Sequence, residues 1–299
     1  MFLELNPTGG FNESHKQLLE TILQPAIWKE TGNIPALTRL IKSFLRKDIS
    51  TIIQSGKLSA VLGIFQKLLD SPLQDQHGFA ILVVVLEVTL WDTLSPLVGT
   101  IFSLIFTRLT KKKTNKLCSQ FVLFLCRFIH KYSLQQLLDI LTAISPGIIT
   151  NVMKVWVTVL PQLQLAEELQ VATIVTSQIL NNPLMVQGDL AKHWAPLTVG
   201  VAQILFLRKT AELVPEDDLF AEQAANRQSG LATSFAKLVH SATEVTADRF
   251  LNEVLLINKH EFAVSQLRQL KASMGPSIQP ALQEVAKDKL GSQLCAELV

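Results

Sequence analysis

The chain has 299 residues, 48% of them hydrophobic and 17% charged, with a formal net charge of +2 and a mean hydropathy of +0.31. That length exceeds what one hydrophobic core usually supports. The small charge gives no footprint for direct nucleic-acid binding. Three cysteines, Cys118, Cys126 and Cys295, provide no disulfide framework and fit a reducing compartment.

The high apolar content requires a membrane reading to be weighed. Residues 79–91 are interrupted by Glu87 and followed by Asp92, and 93–107 contain Ser95, Pro96 and Gly99. Residues 169–188 carry Gln170, Thr173, Thr176, Ser177, Gln178, Asn181 and Asn182. None reaches the roughly 18–20 apolar residues of a spanning helix, so no membrane insertion is expected. The N-terminal Met-Phe-Leu-Glu-Leu-Asn lacks the basic region and apolar core of a signal peptide.

Along the chain, Leu37, Leu40, Ile41, Phe44 and Leu45 follow the spacing of one helical face, with Thr38, Arg39, Lys42, Ser43, Arg46 and Lys47 opposite. Leu58, Val61, Leu62, Phe65, Leu68 and Leu69 repeat the pattern, as do Leu117, Phe121, Phe124, Leu125, Phe128 and Ile129. The run Ile81-Leu-Val-Val-Val-Leu86 reads as a buried helix by length, although periodicity alone leaves a strand open. Ser95-Pro96 and Ser145-Pro146 read as an N-cap followed by proline at the first helical position, while Pro72, Pro161 and Pro183 read as stops.

Helices are therefore expected near 14–30, 34–47, 57–70, 77–91, 95–110, 114–131, 133–143, 146–160, 164–181 and 190–208. Paired in order, they make about five units at a period of about 40 residues, the mark of a helical repeat array. The predicted fold is all-α: an α-α superhelix, a HEAT/ARM-like solenoid in which amphipathic hairpins bury their stripes on one another. Residues 1–15 form a poorly defined segment and 16–208 the repeats. Residues 209–229 read as an acidic inserted loop, and 230–299 as more polar capping helices near 230–240, 245–273 and 278–297. A solenoid segment leaves the apolar face of its first unit open, so Phe2, Leu3, Leu5 and Phe11 are expected to cover it or the chain to self-associate.

No Walker loop, G-x-G-x-x-G, G-x-S-x-G or H-E-x-x-H occurs, so no catalytic residue, cofactor or metal is expected. Cys126 and His130 lie one helical turn apart and could present two metal ligands; packing of both in an apolar helix is the plainer reading. Asp75 and His77 could pair as acid and base; a helix entry with local side-chain bonds is the plainer one. Leu134-Gln-Gln-Leu-Leu138 matches an interaction motif but falls on the packing stripe. The candidate partner contacts are two charged segments. Lys111, Lys112, Lys113 and Lys116 form a basic turn suited to an acidic partner or phosphate. Glu212, Glu216, Asp217, Asp218 and Glu222 form an acidic loop suited to a basic one. Each also reads as a solvated connection.

Several segments together resemble one family. The most specific is Gln24-Pro-Ala-Ile-Trp-Lys-Glu-Thr-Gly-Asn-Ile-Pro-Ala-Leu-Thr-Arg-Leu40, followed in register by Leu62-Gly-Ile-Phe-Gln-Lys-Leu68, His77-Gly-Phe79, Arg108-Leu109, Lys131-Tyr132, Trp194-Ala-Pro-Leu197 and Pro215-Glu-Asp-Asp218. They look like the C-terminal half of the CAS/exportin-2 importin-α re-exporters, members of the importin-β superfamily. The resemblance implies a HEAT superhelix without catalysis that binds importin-α together with GTP-bound Ran and shuttles between nucleus and cytoplasm through the nuclear pore. The family's N-terminal repeats, which carry its principal Ran-binding surface, have no counterpart here. The acidic loop departs from the family by dilution with Ala221, Gln223, Ala224, Ala225 and Asn226. A generic HEAT scaffold unrelated to transport is the alternative.

Overall fold

The computed structural model describes residues 10–207 and 248–298, and among them every regular element is a helix. They fall into two compact units, residues 10–117 and residues 118–207 with 248–298. The acidic residues 212–222 and the helix expected near 230–240 lie outside the described residues.

The first unit opens with α1 (Glu13–Ile22), whose N-cap Asn12 accepts a bond from the His15 N–H at 2.8 Å. Its outward residues Glu13, Lys16, Gln17, Glu20 and Thr21 are exposed and polar, with Leu18, 42% exposed, among them. Phe11 packs edge-on against Phe44 at 5.3 Å. Phe2, Leu3 and Leu5, expected to help cover the open face of the first unit, lie outside the described residues. The expected 14–30 helix ends early because Trp28 folds back: its indole N–H donates to Ile22 O at 2.7 Å, closing α1 and starting a 3₁₀ turn, Pro25–Lys29.

α2 (Ile34–Gln54) runs past the expected end at 47 through a kink at Asp48 (φ −158°, ψ 74°). The Asp48 carboxylate accepts from the Thr51 N–H at 3.0 Å and the Thr51 hydroxyl at 2.7 Å, so it caps a second helical segment. Burial raises its pKa, but those bonds, one from the Phe11 N–H and the Lys47 charge leave it below the ordinary value.

α3 (Leu58–Leu69) and α4 (Asp75–Val88) form a hairpin, and α4 packs against both α2 and α3. Two-sided burial explains the ambiguous β-branched run: Ile81, Leu82, Val84, Val85 and Leu86 are all buried in a helix. Gly78 permits the close approach, since a Cβ there would lie 3.3 Å from Phe65 O and 3.4 Å from Leu69 N.

α5 (Trp91–Lys111) starts before the expected Ser95-Pro96 and carries Pro96 within it. Proline there forfeits one early bond, to Asp92, which a 21-residue helix tolerates. Leu94, Val98, Ile101, Phe102 and Ile105 form its buried stripe.

α6 (Asn115–Lys131) has its first three residues in the first unit and the rest in the second. Then come α7 (Leu134–Ile144), α8 (Ile148–Val159), α9 (Ala166–Leu180) and α10 (Ala191–Leu207). Ser145-Pro146 does not start α8; a left-handed Gly147 (φ 81°) intervenes and the helix begins at Ile148. Around α9 and α10 pack α11 (Arg249–Leu255), α12 (Lys259–Met274), α13 (Gln279–Val285) and α14 (Lys289–Ala296). Three polar residues of α9, Thr173, Thr176 and Ser177, are buried and hydrogen-bonded. Thr173 and Ser177 each donate to a carbonyl one turn back at 2.7 Å, and Thr176 accepts the Trp156 indole N–H at 3.0 Å.

Two segments, Trp91–Lys111 and Gly188–Leu207, are long and apolar enough to cross a membrane by length and composition, so the expectation that none qualifies was too strict. In this fold α10 buries Trp194, Leu197, Val201, Ile204 and Leu205 against neighbouring helices. The Leu94–Ile105 stripe of α5 is likewise buried.

Candidate partner-binding site

The basic turn lies wholly in the first unit. Lys111 ends α5, and Lys112, Lys113 and Thr114 form the connection. Lys116 is the second residue of α6. All four lysines are exposed. Lys111 completes a cationic last turn of α5, where the helix dipole favours positive charge. Thr114 Oγ1 accepts the Leu117 N–H at 3.2 Å, capping α6.

The turn is held from beneath by Arg108, which sits on the buried face of α5. Its Nε donates to Leu69 O at 2.8 Å, and its Nη1 donates to Lys112 O. One guanidinium therefore ties the end of α3 to the α5–α6 connection. Its Nη2 lies 3.5 Å from Asp75 Oδ2, with the two side chains 3% and 0% exposed. The contact is ionic rather than a well-formed hydrogen bond, for neither Asp75 oxygen has a hydrogen-bonded side-chain partner.

Burial pushes the Asp75 carboxyl above its ordinary value, while Lys116, Arg108 and the Gln76 N–H pull it back without prevailing. The carboxylate is sealed from solvent, yet the Lys116 charge still acts on it. Lys116 itself is drawn below its ordinary value by surrounding protein, with Asp75 opposing. The four lysines thus present cationic tips above a buried Asp75–Arg108 pair. Such an arrangement can hold an acidic surface or a phosphate without doing chemistry on it.

The remaining sequence candidates separate. Cys126 is buried, which raises its thiol pKa strongly. His130 stands against the Phe250 ring at 4.6 Å, with its Nε2 3.9 Å from Glu253. Asp75 is directed to Arg108 rather than to His77, whose Nε2 lies 3.3 Å from Gln76 Nε2. Leu134, Leu137 and Leu138 are core. The acidic Glu212, Glu216, Asp217, Asp218 and Glu222 lie outside the described residues. Sequence reading missed the role of Arg108, although a signal existed: it continues the buried stripe of Ile101 and Ile105 at helical spacing.

Residues 1–294 match the family model described as CAS/CSE protein, C-terminus. The chain belongs to the CAS/CSE family. The exportin-2 of Drosophila melanogaster is 30% identical over 237 residues, covering 78% of this chain and 24% of that protein. Exportin-2 of Pagrus major is 29% identical over 242 residues, 80% of this chain and 24% of that protein. Human exportin-2 is 29% identical over 231 residues, 75% and 23% respectively. The chain thus spans about a quarter of the length of these relatives. A solved structure, the exportin Cse1 in its cargo-free, cytoplasmic state, superposes with a TM-score of 0.73 at 21% identity over 99% of this chain and 29% of that one. The fold is accordingly the all-α helical-repeat fold of an exportin, as the sequence resemblance implied.

Proposed function

We propose that this chain is the C-terminal part of a nuclear export receptor that binds importin-α together with GTP-bound Ran and returns it from nucleus to cytoplasm. The observation that carries the reading is the match to the CAS/CSE C-terminal model across residues 1–294. Binding, not catalysis, is the activity. The basic turn of Lys111, Lys112, Lys113 and Lys116 would meet acidic surface on a partner. The acidic Glu212, Glu216, Asp217, Asp218 and Glu222 would meet basic surface. Coupling of two ligands requires an array long enough to touch both, so the complete transport cycle calls for the N-terminal repeats that the family carries beyond this segment.

The test is a pull-down of importin-α, with and without GTP-loaded Ran, on the 299-residue chain and on a form extended with a relative's N-terminal repeats. Retention of importin-α by the extended form, strengthened by GTP-loaded Ran, is expected, with weaker retention by the chain alone. Failure of both forms to retain either partner would remove the proposal.

A further inference from the structure

We infer that Thr114 is a phosphorylation site for a serine/threonine kinase with an acidic substrate groove. The inference is independent of what the basic turn binds. Three lysines, Lys111, Lys112 and Lys113, immediately precede Thr114 and are exposed. An acidic groove selects such a cationic approach to the acceptor by charge complementarity. Thr114 lies outside any helix, in the three-residue connection between α5 and α6. Lys112 is already extended there (φ −155°, ψ 96°), the conformation a kinase-bound peptide needs.

The other hydroxyls nearby are not so placed. Ser103, Thr107 and Thr110 all sit inside α5 and donate to carbonyls of their own helix at 2.8, 2.8 and 2.9 Å. Thr110 has Arg108 two residues before it, but that guanidinium is buried and committed to Leu69 O, Lys112 O and Asp75. Thr114 Oγ1 instead accepts from the Leu117 N–H at the first turn of α6. First-turn N–H groups have no helical acceptor, so fraying this turn breaks few bonds. Leu117, three residues on, is buried and limits the opening to that turn.

In the reaction Thr114 Oγ1 attacks the γ-phosphorus of a nucleoside triphosphate held by the kinase. The new O–P bond forms as the bond to the β–γ bridging oxygen breaks. The nucleoside diphosphate leaves, and the hydroxyl proton passes to the kinase's base. The product places about −1.5 to −2 charges at a helix N-terminus, where the dipole favours them. It also offsets about half of the positive charge on Lys111, Lys112, Lys113 and Lys116, turning a cationic surface towards neutral.

The experiment treats the 299-residue chain with the catalytic subunit of cyclic-AMP-dependent protein kinase and magnesium ATP, and locates phosphate by tandem mass spectrometry. Thr114 is expected to be modified. Thr114→Ser should retain the site and Thr114→Ala lose it, with circular dichroism confirming that both fold. Lys111→Ala with Lys112→Ala should slow incorporation about tenfold. A synthetic peptide of residues 108–117 serves as the unfolded reference. Phosphorylation of the peptide but not the folded chain, of neither, or at a rate indifferent to the lysines would each overturn the inference.

Discussion

Replacing Arg108 with methionine should be among the most damaging single changes in the first unit. It removes the side chain facing Asp75 at 3.5 Å and frees two carbonyls, Leu69 O and Lys112 O, that accept from the guanidinium. Removal of one member of a buried pair costs about 3–5 kcal/mol, because the other charge is left without compensation. For a protein of this size that lowers the midpoint of thermal unfolding by about 10 °C. The pH dependence is a sharper signature. Asp75 already has a raised pKa from an ordinary 3.8, so ionising it costs more in the fold than in the unfolded chain. Its contribution is fully favourable below the unfolded value and is lost as pH rises through the folded one. Without Arg108 the folded pKa rises further, so the Arg108→Met penalty should be larger at pH 7 than at pH 5. Adding Asp75→Asn to Arg108→Met should recover the part of the loss that the stranded carboxylate causes, whereas Asp75→Asn alone should cost less than Arg108→Met, because the guanidinium keeps its bonds to Leu69 O and Lys112 O. Calorimetry of the four proteins at both pH values measures the cycle. An Arg108→Met penalty that is the same at both pH values, or unrelieved by Asp75→Asn, would refute the ion-pair reasoning.

Further outcomes are expected elsewhere. In the second unit, Thr176→Val leaves the buried Trp156 indole N–H without its acceptor and should cost about 1–3 kcal/mol, read by chemical denaturation. Gly291→Ala should destabilise the α13–α14 turn, because a Cβ there collides with the Val285 backbone carbonyl; loss of C-terminal protection in hydrogen exchange reports it. His130 and His193 both have pKa values depressed below 6.5, chiefly by burial; Glu253 opposes this at His130, while Lys192 and Lys154 reinforce it at His193. Their charged forms are therefore disfavoured in the fold, and their contribution is present above the unfolded value and lost as pH falls through the folded one. The second unit should melt earlier at pH 5.5 than at pH 7.5, with His193→Gln flattening the difference.

Much of the helix order was readable because amphipathic spacing is a local property. The stripes through Phe44, Phe65 and Phe121 appear in the sequence as they do in the core. The misreadings have particular causes. Ser95-Pro96 and Ser145-Pro146 looked like helix starts, but proline is tolerated early in a long helix, and Gly147 supplies the left-handed residue that sets where α8 begins. The stretches expected at 245–273 and 278–297 each break once. Asn258 and Asp288 cap the second helix of each pair with their own side chains, a cue present in the sequence but masked by continuing polarity. The kink at Asp48 depends on Thr51, a cap of the same kind. The lysines of the candidate site were legible as a charge cluster. Their support was not, because Asp75 and Arg108 are separated along the chain and come together only when α5 packs on α3 and brings Arg108 to the α3–α4 connection.

The most direct measurement is a titration of importin-α into the 299-residue chain, with GTP-loaded Ran absent and then present, against a variant with Lys111, Lys112, Lys113 and Lys116 all changed to glutamate. Measurable binding is predicted for the unaltered chain, little changed by Ran because coupling of the two ligands calls for the N-terminal repeats, and weakened at least about tenfold by the charge reversal without loss of helical content. No binding by the unaltered chain under either condition, or binding indifferent to the four substitutions, would contradict the assignment of this segment and its basic turn to importin-α.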